Sequence, residues 1–299
     1  MTPDSPHLQI ALGNELACEA ALRRRERVLV AGCGYVGRVV ARELEALGWE
    51  VTAITRSPES AQALQGEPFR VLACDIGDPS ALAALGAFDA VIACASSGHG
   101  DAGSYRRIYL EGTQNLLAAF QPQRFIFTGS TSVYAQTDGA VVTEESPAEP
   151  ELETGCILRA AEAVTLAAGG TVARLAGIYG PGRWALLQKF LAGDALLEGA
   201  GERWINQIHR ADAASALVFL LARSIPAGIY NVADNTPVTQ REVYAAFAKH
   251  FQRPLPPAGP VEINRKRAWT HKQVSNAKLR ALGWAPMYPS FREALRAAR

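Results

Sequence analysis

The feature that most limits the fold of this sequence is a regular alternation of short apolar runs with helix-like segments, beginning at Arg27. RVLVA is followed by YVGRVVARELEALG, and then EVTAIT, FRVLAC, DAVIACA and RFIFTGS recur between segments of helical periodicity. Strands that are apolar throughout and alternate with helices are typical of a parallel sheet covered on both faces. Right-handed crossovers would give a doubly wound α/β sheet, whose ligand lies at the carboxyl ends of the strands.

The first strand leads into a glycine-rich turn, VLVAGCGYVG, in which Gly32, Gly34 and Gly37 have GxGxxG spacing. This spacing gives a tight turn, close approach of the backbone to a pyrophosphate, and close packing of the helix on the strand. Free N–H groups and the positive end of the helix dipole then face the phosphates. Because the motif lies between a strand and a helix, it predicts a dinucleotide site that Tyr35 and Val36 also contact.

The end of the second strand favours NADP over NAD. An acidic residue is expected about 20 residues after the glycines of an NAD site, but Arg56 and Ser57 stand there. Arg56 could pair with a 2′-phosphate and Ser57 could add a hydrogen bond; the alternative is a solvent-facing arginine. After the third strand, Asp75 could accept a hydrogen bond from the adenine amino group. The remaining predicted cofactor contacts are Ile76, Ala95 and Thr128.

The sequence predicts three parts. Residues 1–26 form an N-terminal extension, whose basic cluster RRRER follows the apolar residues, the reverse of a secretory signal. Residues 27–178 form the dinucleotide-binding domain. Residues 179–299, where Gly and Pro separate shorter elements, form most of a smaller C-terminal substrate lobe, with segments that return to the main domain.

The composition argues against several other classes of protein. With 48% apolar residues and a net charge of +1, the chain gives no reason to expect nucleic acid or an acidic membrane as partner. It has no apolar run of about 18 residues, so no membrane span is predicted. The five cysteines are scattered without zinc-binding spacing, so we expect no metal site. An odd number of free thiols is typical of proteins in the reducing cytoplasm, which is the predicted location.

Several motifs, in order, resemble the extended short-chain dehydrogenase/reductase family, the group of sugar-nucleotide epimerases and dehydratases. They lie between Arg27 and Arg299 and are YLEGTQNLLAAF, RFIFTGSTSVYA, RLAGIYGPG, INQIHRADAASAL, GIYNVADNTPVTQREV and LRALGWAP. The resemblance implies a Rossmann-type fold, an NAD(P) cofactor and a small polar substrate with hydroxyl groups, such as a nucleotide sugar. It places Ser130 at the catalytic serine. It also implies a homodimer as one arrangement, although no residue requires it.

The sequence departs from the family at the catalytic Tyr-Lys pair. In the family the Lys binds the nicotinamide ribose and lowers the pKa of the Tyr, which exchanges a proton with the substrate. Aligned on Glu162, these two positions hold Thr154 and Leu158, and Tyr109 replaces the usual helix Asn. The departures resemble the atypical branch of the family, which keeps the nucleotide fold but often has a degenerate active site.

One phenol could replace the missing pair. Ser130, Ser132 and Tyr134 share a face if the strand stays regular as far as Tyr134, so Tyr134 is the predicted acid/base. Its alternative role is packing beneath the cofactor. The weaker candidates, each with a purely structural alternative, are Arg159, His209 and His99.

Two functions remain compatible with the sequence. The first is an NADP-dependent oxidoreductase or epimerase/dehydratase that uses Ser130 and Tyr134. The second is a non-catalytic NADP-binding sensor or scaffold, in which the cofactor stabilises one conformation for a partner. The absence of the Tyr-Lys pair favours the second function, whereas Ser130 and the second lobe favour the first.

Overall fold

A computed structural model describes residues 25–98, 100–223, 225–262 and 268–297. Its centre is a seven-stranded sheet in which every pairing is parallel. The strands are β1 (Arg27–Ala31), β2 (Glu50–Thr55), β3 (Arg70–Ala73), β4 (Ala90–Ala93), β5 (Arg124–Ser130), β6 (Thr171–Leu175) and β7 (Ile229–Val232). Their order across the sheet is β3-β2-β1-β4-β5-β6-β7, which confirms the predicted doubly wound α/β fold.

The described helices either pack on the two faces of this sheet or form the C-terminal lobe. They are α1 (Gly37–Ala46), α2 (Pro58–Gln62), α3 (Pro79–Ala83), α4 (Ala102–Tyr105), α5 (Gly112–Phe120), α6 (Glu153–Ala167), α7 (Ala185–Ala192), α8 (Arg210–Ala222), α9 (Gln240–Phe251), α10 (Ala277–Ala281) and α11 (Phe291–Ala297). A π-helical turn, Arg106–Glu111, separates α4 from α5, and a 3₁₀ turn, Thr131–Val133, follows β5. The sequence predicted one continuous helix where α4, the π turn and α5 occur.

The main core lies between the sheet and these helices. Val28, Leu29 and Val30 of β1 have no exposed surface, because helices on both sides cover the central strand. Helix α1 turns Val40 and Leu44 toward the sheet, one helical turn apart, as an amphipathic helix requires.

A second apolar cluster lies outside the main sheet. Its centre is a group of aromatic rings on α7 and α9. The ring centroids of Phe190 and Phe247 lie 5.7 Å apart. A capping box formed by Thr239 and Glu242 starts α9. The short strand pairs around this cluster and at its junction with the sheet are Gly177–Tyr179 with Gln207–His209, Trp204–Ile205 with Val238–Thr239, Leu197–Glu198 with Ala258–Gly259, and Val141–Val142 with Gln273–Val274.

The C-terminal part of the chain is interleaved with the main sheet. Strand β7 pairs with β6 at the edge of that sheet, and α8 packs against α1. The N-terminal extension lies outside the described residues except for Arg25 and Glu26. No helix in the described part of the chain is both long and apolar enough to cross a bilayer.

Candidate functional site

A cleft of ≈ 760 Å³ lies at the carboxyl ends of the central strands. It spans the point between β1 and β4 where the strand order reverses, which is where doubly wound sheets bind ligands. Most of the predicted cofactor residues line it, namely Gly32, Gly34, Tyr35, Val36, Arg56, Ser57, Asp75, Ile76, Ala95 and Thr128. Gly37 lies just behind this lining, at the start of α1.

The three glycines of the turn have different structural reasons for lacking a side chain. Gly32 has φ +107°, and a Cβ there would lie 2.4 Å from the backbone nitrogen of Ala95. A Cβ on Gly37 would lie 2.1 Å from the carbonyl oxygen of Gly32. Gly34, by contrast, has no atom within 4 Å of that position and faces the cleft. A tight turn with one open glycine backbone fits the pyrophosphate of a dinucleotide.

Tyr35 joins this glycine turn to the C-terminal lobe. Its hydroxyl donates to the carbonyl oxygen of Pro181 at 3.1 Å, and its ring is approached by the guanidinium groups of Arg183 and Arg210 at 5.3 and 4.9 Å. Burial raises the pKa of the Tyr35 hydroxyl, and the two arginines oppose that rise. The phenol therefore stays protonated, and its hydroxyl is engaged in this bridge between the lobes.

The end of the cleft beside β2 carries an exposed cation and two hydroxyl groups. Arg56, which follows β2, is exposed and lines the cleft. Ser57 caps α2 by accepting from the backbone N–H of Ser60 at 3.3 Å, and its hydroxyl donates to that of Ser60, which also lines the cleft, at 3.2 Å. Sequence reasoning missed Ser60, which the helical spacing from Ser57 could have identified.

Asp75 already has partners on both carboxylate oxygens. Arg107 lies 2.5 Å from Oδ2, and the backbone N–H of Gly77 donates to Oδ1 at 2.8 Å. An adenine amino group would therefore share this carboxylate with Arg107, a cleft residue that the sequence did not predict. Next to them, the amide of Asn115 donates to the carbonyl oxygen of Ile76 at 3.0 Å and fixes the loop after β3.

The other half of the cleft contains Ser130 and Leu158. Strand β5 ends at Ser130, whose Oγ accepts from the backbone N–H of Ser132 at 3.2 Å. Leu158 of α6, only 3% exposed, lines the cleft at the position that the resemblance assigns to Lys. Thr154, one turn earlier on α6, lines an adjoining pocket of ≈ 80 Å³. Neither side chain supplies a cation or a useful acid here.

The structure corrects the prediction that Tyr134 is the acid/base. The 3₁₀ turn after Ser130 ends the strand, so the expected alternation fails and Tyr134 turns into the core. Its side chain has no exposed surface, and its hydroxyl donates to Oδ1 of Asn231 at 2.9 Å. The Arg174 guanidinium lies 4.8 Å from the ring centre. Tyr134 is therefore a core residue below the site.

The weaker candidates also lie away from the cleft or outside the described residues. Arg159 pairs with the buried carboxylate of Glu162. His209 caps α8, accepting from the backbone N–H of Ala211 at 3.3 Å, and its ring lies 4.0 Å from that of Tyr288. His99 falls outside the described residues.

Two neighbouring groups in the cleft were not predicted to take part in the site. Tyr109, on the π turn, is half-buried, lines the cleft and has its hydroxyl 3.4 Å from Oγ of Ser96. From the sequence, Tyr109 was identified only as the residue that replaces the helix Asn of the family.

The cleft residues include Cys33 and Cys94, whose thiols are protonated near neutral pH. Burial raises the pKa of Cys33 to about 11 and that of Cys94 to about 12, so both thiols remain protonated and weakly nucleophilic near neutral pH. Within the described ranges, no group of three His, Cys, Asp or Glu side chains could hold a metal ion.

Comparison with known proteins identifies relatives of the whole fold. The model of the NAD dependent epimerase/dehydratase family matches residues 28–233. Protein YeeZ of Escherichia coli K12 is 32% identical over 223 residues, which are 69% of this chain and 77% of YeeZ. A 3-diazoavenalumate denitrifying reductase from a Streptomyces species is 27% identical over 305 residues, covering 90% of this chain and 99% of the reductase.

A solved structure supports the same architecture. It is a candidate NAD-dependent epimerase/dehydratase from Methylobacillus flagellatus, with a TM-score of 0.74 and 29% sequence identity. The match covers 92% of this chain and 99% of that chain. The likeness therefore extends through the C-terminal lobe as well as the sheet.

Proposed function

Because the chain belongs to the NAD-dependent epimerase/dehydratase family, we propose that it is an NADP-preferring oxidoreductase that acts on a polar substrate. The substrate class is a small molecule with a hydroxyl or carbonyl group, such as a nucleotide sugar, as the resemblance to sugar-nucleotide enzymes implies. The observation that carries this proposal is one continuous cleft with the open Gly34 backbone in the middle, Arg56 at one end and Ser130 at the other.

The residues of the cleft have separate roles in this proposal. The glycine turn and the N-terminus of α1 hold the pyrophosphate. Arg56 pairs with the 2′-phosphate, and the hydroxyl groups of Ser57 and Ser60 accept or donate hydrogen bonds beside it. Ser130 hydrogen-bonds the oxygen of the substrate that is oxidised or reduced. The bound cofactor supplies or accepts the hydride.

The 2′-phosphate assignment is tested by Arg56→Ala. We expect Arg56→Ala to weaken NADPH binding about tenfold or more, because a charge-assisted contact contributes about 1.5–3 kcal/mol. NADH binding should change little, because NADH has no 2′-phosphate. Both affinities can be measured by fluorescence titration. The matched control is Arg70→Ala, an exposed arginine on β3 outside the cleft. Equal losses for NADPH and NADH would refute the assignment.

Leu158 favours a second function, a non-catalytic NADP-binding sensor or scaffold. Its buried isobutyl group faces the cleft at the position where the family has a Lys. Ser130→Ala distinguishes the two functions, provided that the variant still binds NADPH. An oxidoreductase should then lose turnover, whereas a sensor should change its partner binding little or not at all.

A further inference from the structure

The half of the cleft next to Ser130 contains a phenol that faces the open space. Among the described residues, the tyrosines that line the cleft are Tyr35, Tyr105 and Tyr109. The hydroxyl of Tyr35 is bound to Pro181, and Tyr105 is only 5% exposed. Tyr109 is more exposed than Tyr105, and its hydroxyl lies beside Ser96 in the cleft. Tyr109 is therefore the phenol best placed to meet a ligand.

Tyr109 and Ser130 both line the cleft at the carboxyl ends of β4 and β5. Ala93 of β4 pairs with Phe127 of β5, and Ser96 and Ser130 each follow that pair by three residues. The ring of Tyr109 packs edge-on against Phe127, with centroids 6.4 Å apart and planes at 90°. Ser96 and Ser130 thus lie beyond the paired ends of two neighbouring strands, and both line the same cleft as Tyr109.

The surrounding chain holds this ring in place. The ring centroid of Tyr105 lies 4.9 Å from that of Tyr109 on one side, and the ring of Phe127 packs against it from the sheet. Tyr109 belongs to the π turn Arg106–Glu111, and π turns inside helices occur frequently at functional sites. The wider turn changes the direction of the side chains relative to the regular helix that the sequence predicted.

We propose that Tyr109 is the acid/base of the reaction, in place of the missing Tyr-Lys pair; this rests on the proposed oxidoreductase function. In the direction of reduction, the carbonyl carbon of the substrate gains a hydride and its oxygen gains the phenolic proton of Tyr109. The C=O bond becomes a C–OH group, the cofactor is oxidised, and Tyr109 is left as a phenolate. The phenolate recovers a proton from water through the hydroxyl of Ser96. Ser130 hydrogen-bonds the same substrate oxygen.

The placement of Tyr109 can be tested without a substrate. The protein is labelled with 3-fluorotyrosine, and Tyr109→Phe identifies the ¹⁹F signal of Tyr109. We expect NADP⁺ to move this signal, and 2′-phospho-ADP-ribose, which lacks the nicotinamide, to leave it nearly in place. The signal of Tyr134, assigned through Tyr134→Phe, is the internal control, since that ring has no exposed surface.

The catalytic role is tested by turnover of NADPH with 4-nitrobenzaldehyde and of NADP⁺ with UDP-glucose. Tyr109→Phe keeps the ring contacts and should lower kcat by about 100-fold or more, the usual scale of general acid–base catalysis. Its NADPH affinity should stay within about threefold of wild type. Ser96→Ala should lower kcat by about tenfold. Tyr134→Phe should leave the kcat of the folded enzyme within about threefold.

The outcomes distinguish a failure of the Tyr109 assignment from a failure of the proposed oxidoreductase function. If wild type turns over a probe and Tyr109→Phe turns it over equally fast, the assignment is overturned and the oxidoreductase proposal stands. If NADP⁺ leaves the Tyr109 signal unmoved, the assignment is overturned, and the turnover of wild type alone decides the oxidoreductase proposal. A wild-type protein that binds NADPH but turns over neither probe counts against both. A moved signal together with the loss of turnover in Tyr109→Phe supports both.

Discussion

At the scale of single residues, the glycine turn shows how the same amino acid meets a steric need at one position and leaves the cleft open at another. Gly32 needs its positive φ of +107° and has no room for a Cβ. Gly34 has room for one, but that space lies in the cleft. The sequence predicted the motif, whereas the separation of these roles required the contacts of each backbone position.

This difference predicts opposite behaviour of two similar variants. Gly34→Ala should melt within about 2 °C of wild type, since its Cβ meets no atom, but should weaken NADPH binding about tenfold or more. Gly32→Ala should instead lower the melting temperature strongly, because strain and a backbone clash coincide. Thermal melts by circular dichroism and NADPH titration measure both. A Gly34→Ala protein with wild-type NADPH affinity would show that the pyrophosphate lies elsewhere.

At the scale of elements, a buried ion pair fixes the register of α6 over the site. Glu162 accepts two hydrogen bonds from Arg174 of β6, at 2.9 and 2.7 Å, and both side chains are almost completely buried. Leu158 lies one turn before Glu162 on the same helix face. The ion pair thus holds Leu158 against the cleft and Thr154 in the adjoining pocket.

Breaking this pair should be costly. Glu162→Ala leaves the guanidinium of Arg174 buried without its carboxylate, so we expect a loss of about 3–5 kcal/mol in the free energy of unfolding. Arg159→Ala removes the other, partly exposed partner of Glu162 and should cost less than about 1 kcal/mol. Urea denaturation compares the two variants. Similar losses for both would mean that the buried pair does not anchor α6.

The elements themselves were partly predictable. Apolar runs separated by helical segments predicted strands β1 to β5 of the parallel sheet, because burial on both faces leaves a strong sequence pattern. The π turn at Arg106–Glu111 and the 3₁₀ turn at Thr131–Val133 left no such pattern. The error over Tyr134 follows from the second of these turns. The candidate role of Tyr109 depends on the π turn, which directs its side chain into the cleft lining.

At the scale of the whole molecule, the C-terminal lobe is held to the sheet by contacts between residues far apart in sequence. The buried ammonium group of Lys272 donates to the carbonyl oxygen of Tyr134 at 2.8 Å. Asp212 of α8 accepts from the backbone N–H groups of Met287 and Tyr288 at 2.6 and 2.9 Å. No local pattern signals such pairings, so the sequence could predict that segments return to the main domain but not which contacts hold them.

A buried carboxyl group at this junction predicts a pH effect on stability. Burial raises the pKa of Asp234 to about 8, with Asp212 and Glu293 adding to the rise and a backbone hydrogen bond from Thr236 opposing it. Since an unfolded Asp titrates near about 3.9, the folded state binds the proton more tightly. Stability is therefore lost as pH rises from about 4 to about 8.

Asp234→Asn removes this penalty and can still accept the hydrogen bond from Thr236. The melting temperature of the variant relative to wild type should therefore be higher at about pH 9 than at about pH 5. Thermal melts at the two pH values measure the difference. An offset that is the same at both would show that Asp234 ionises normally in the folded protein.

The proposed function and the role of Tyr109 both depend on where the two ends of the cofactor lie, and a crystal structure of the NADP⁺ complex tests this most directly. We expect the 2′-phosphate against Arg56, the pyrophosphate over Gly34, and the nicotinamide ring between Ser130 and Tyr109. A nicotinamide ring held away from Ser130 and Tyr109, or a cofactor bound outside this cleft, would contradict the account.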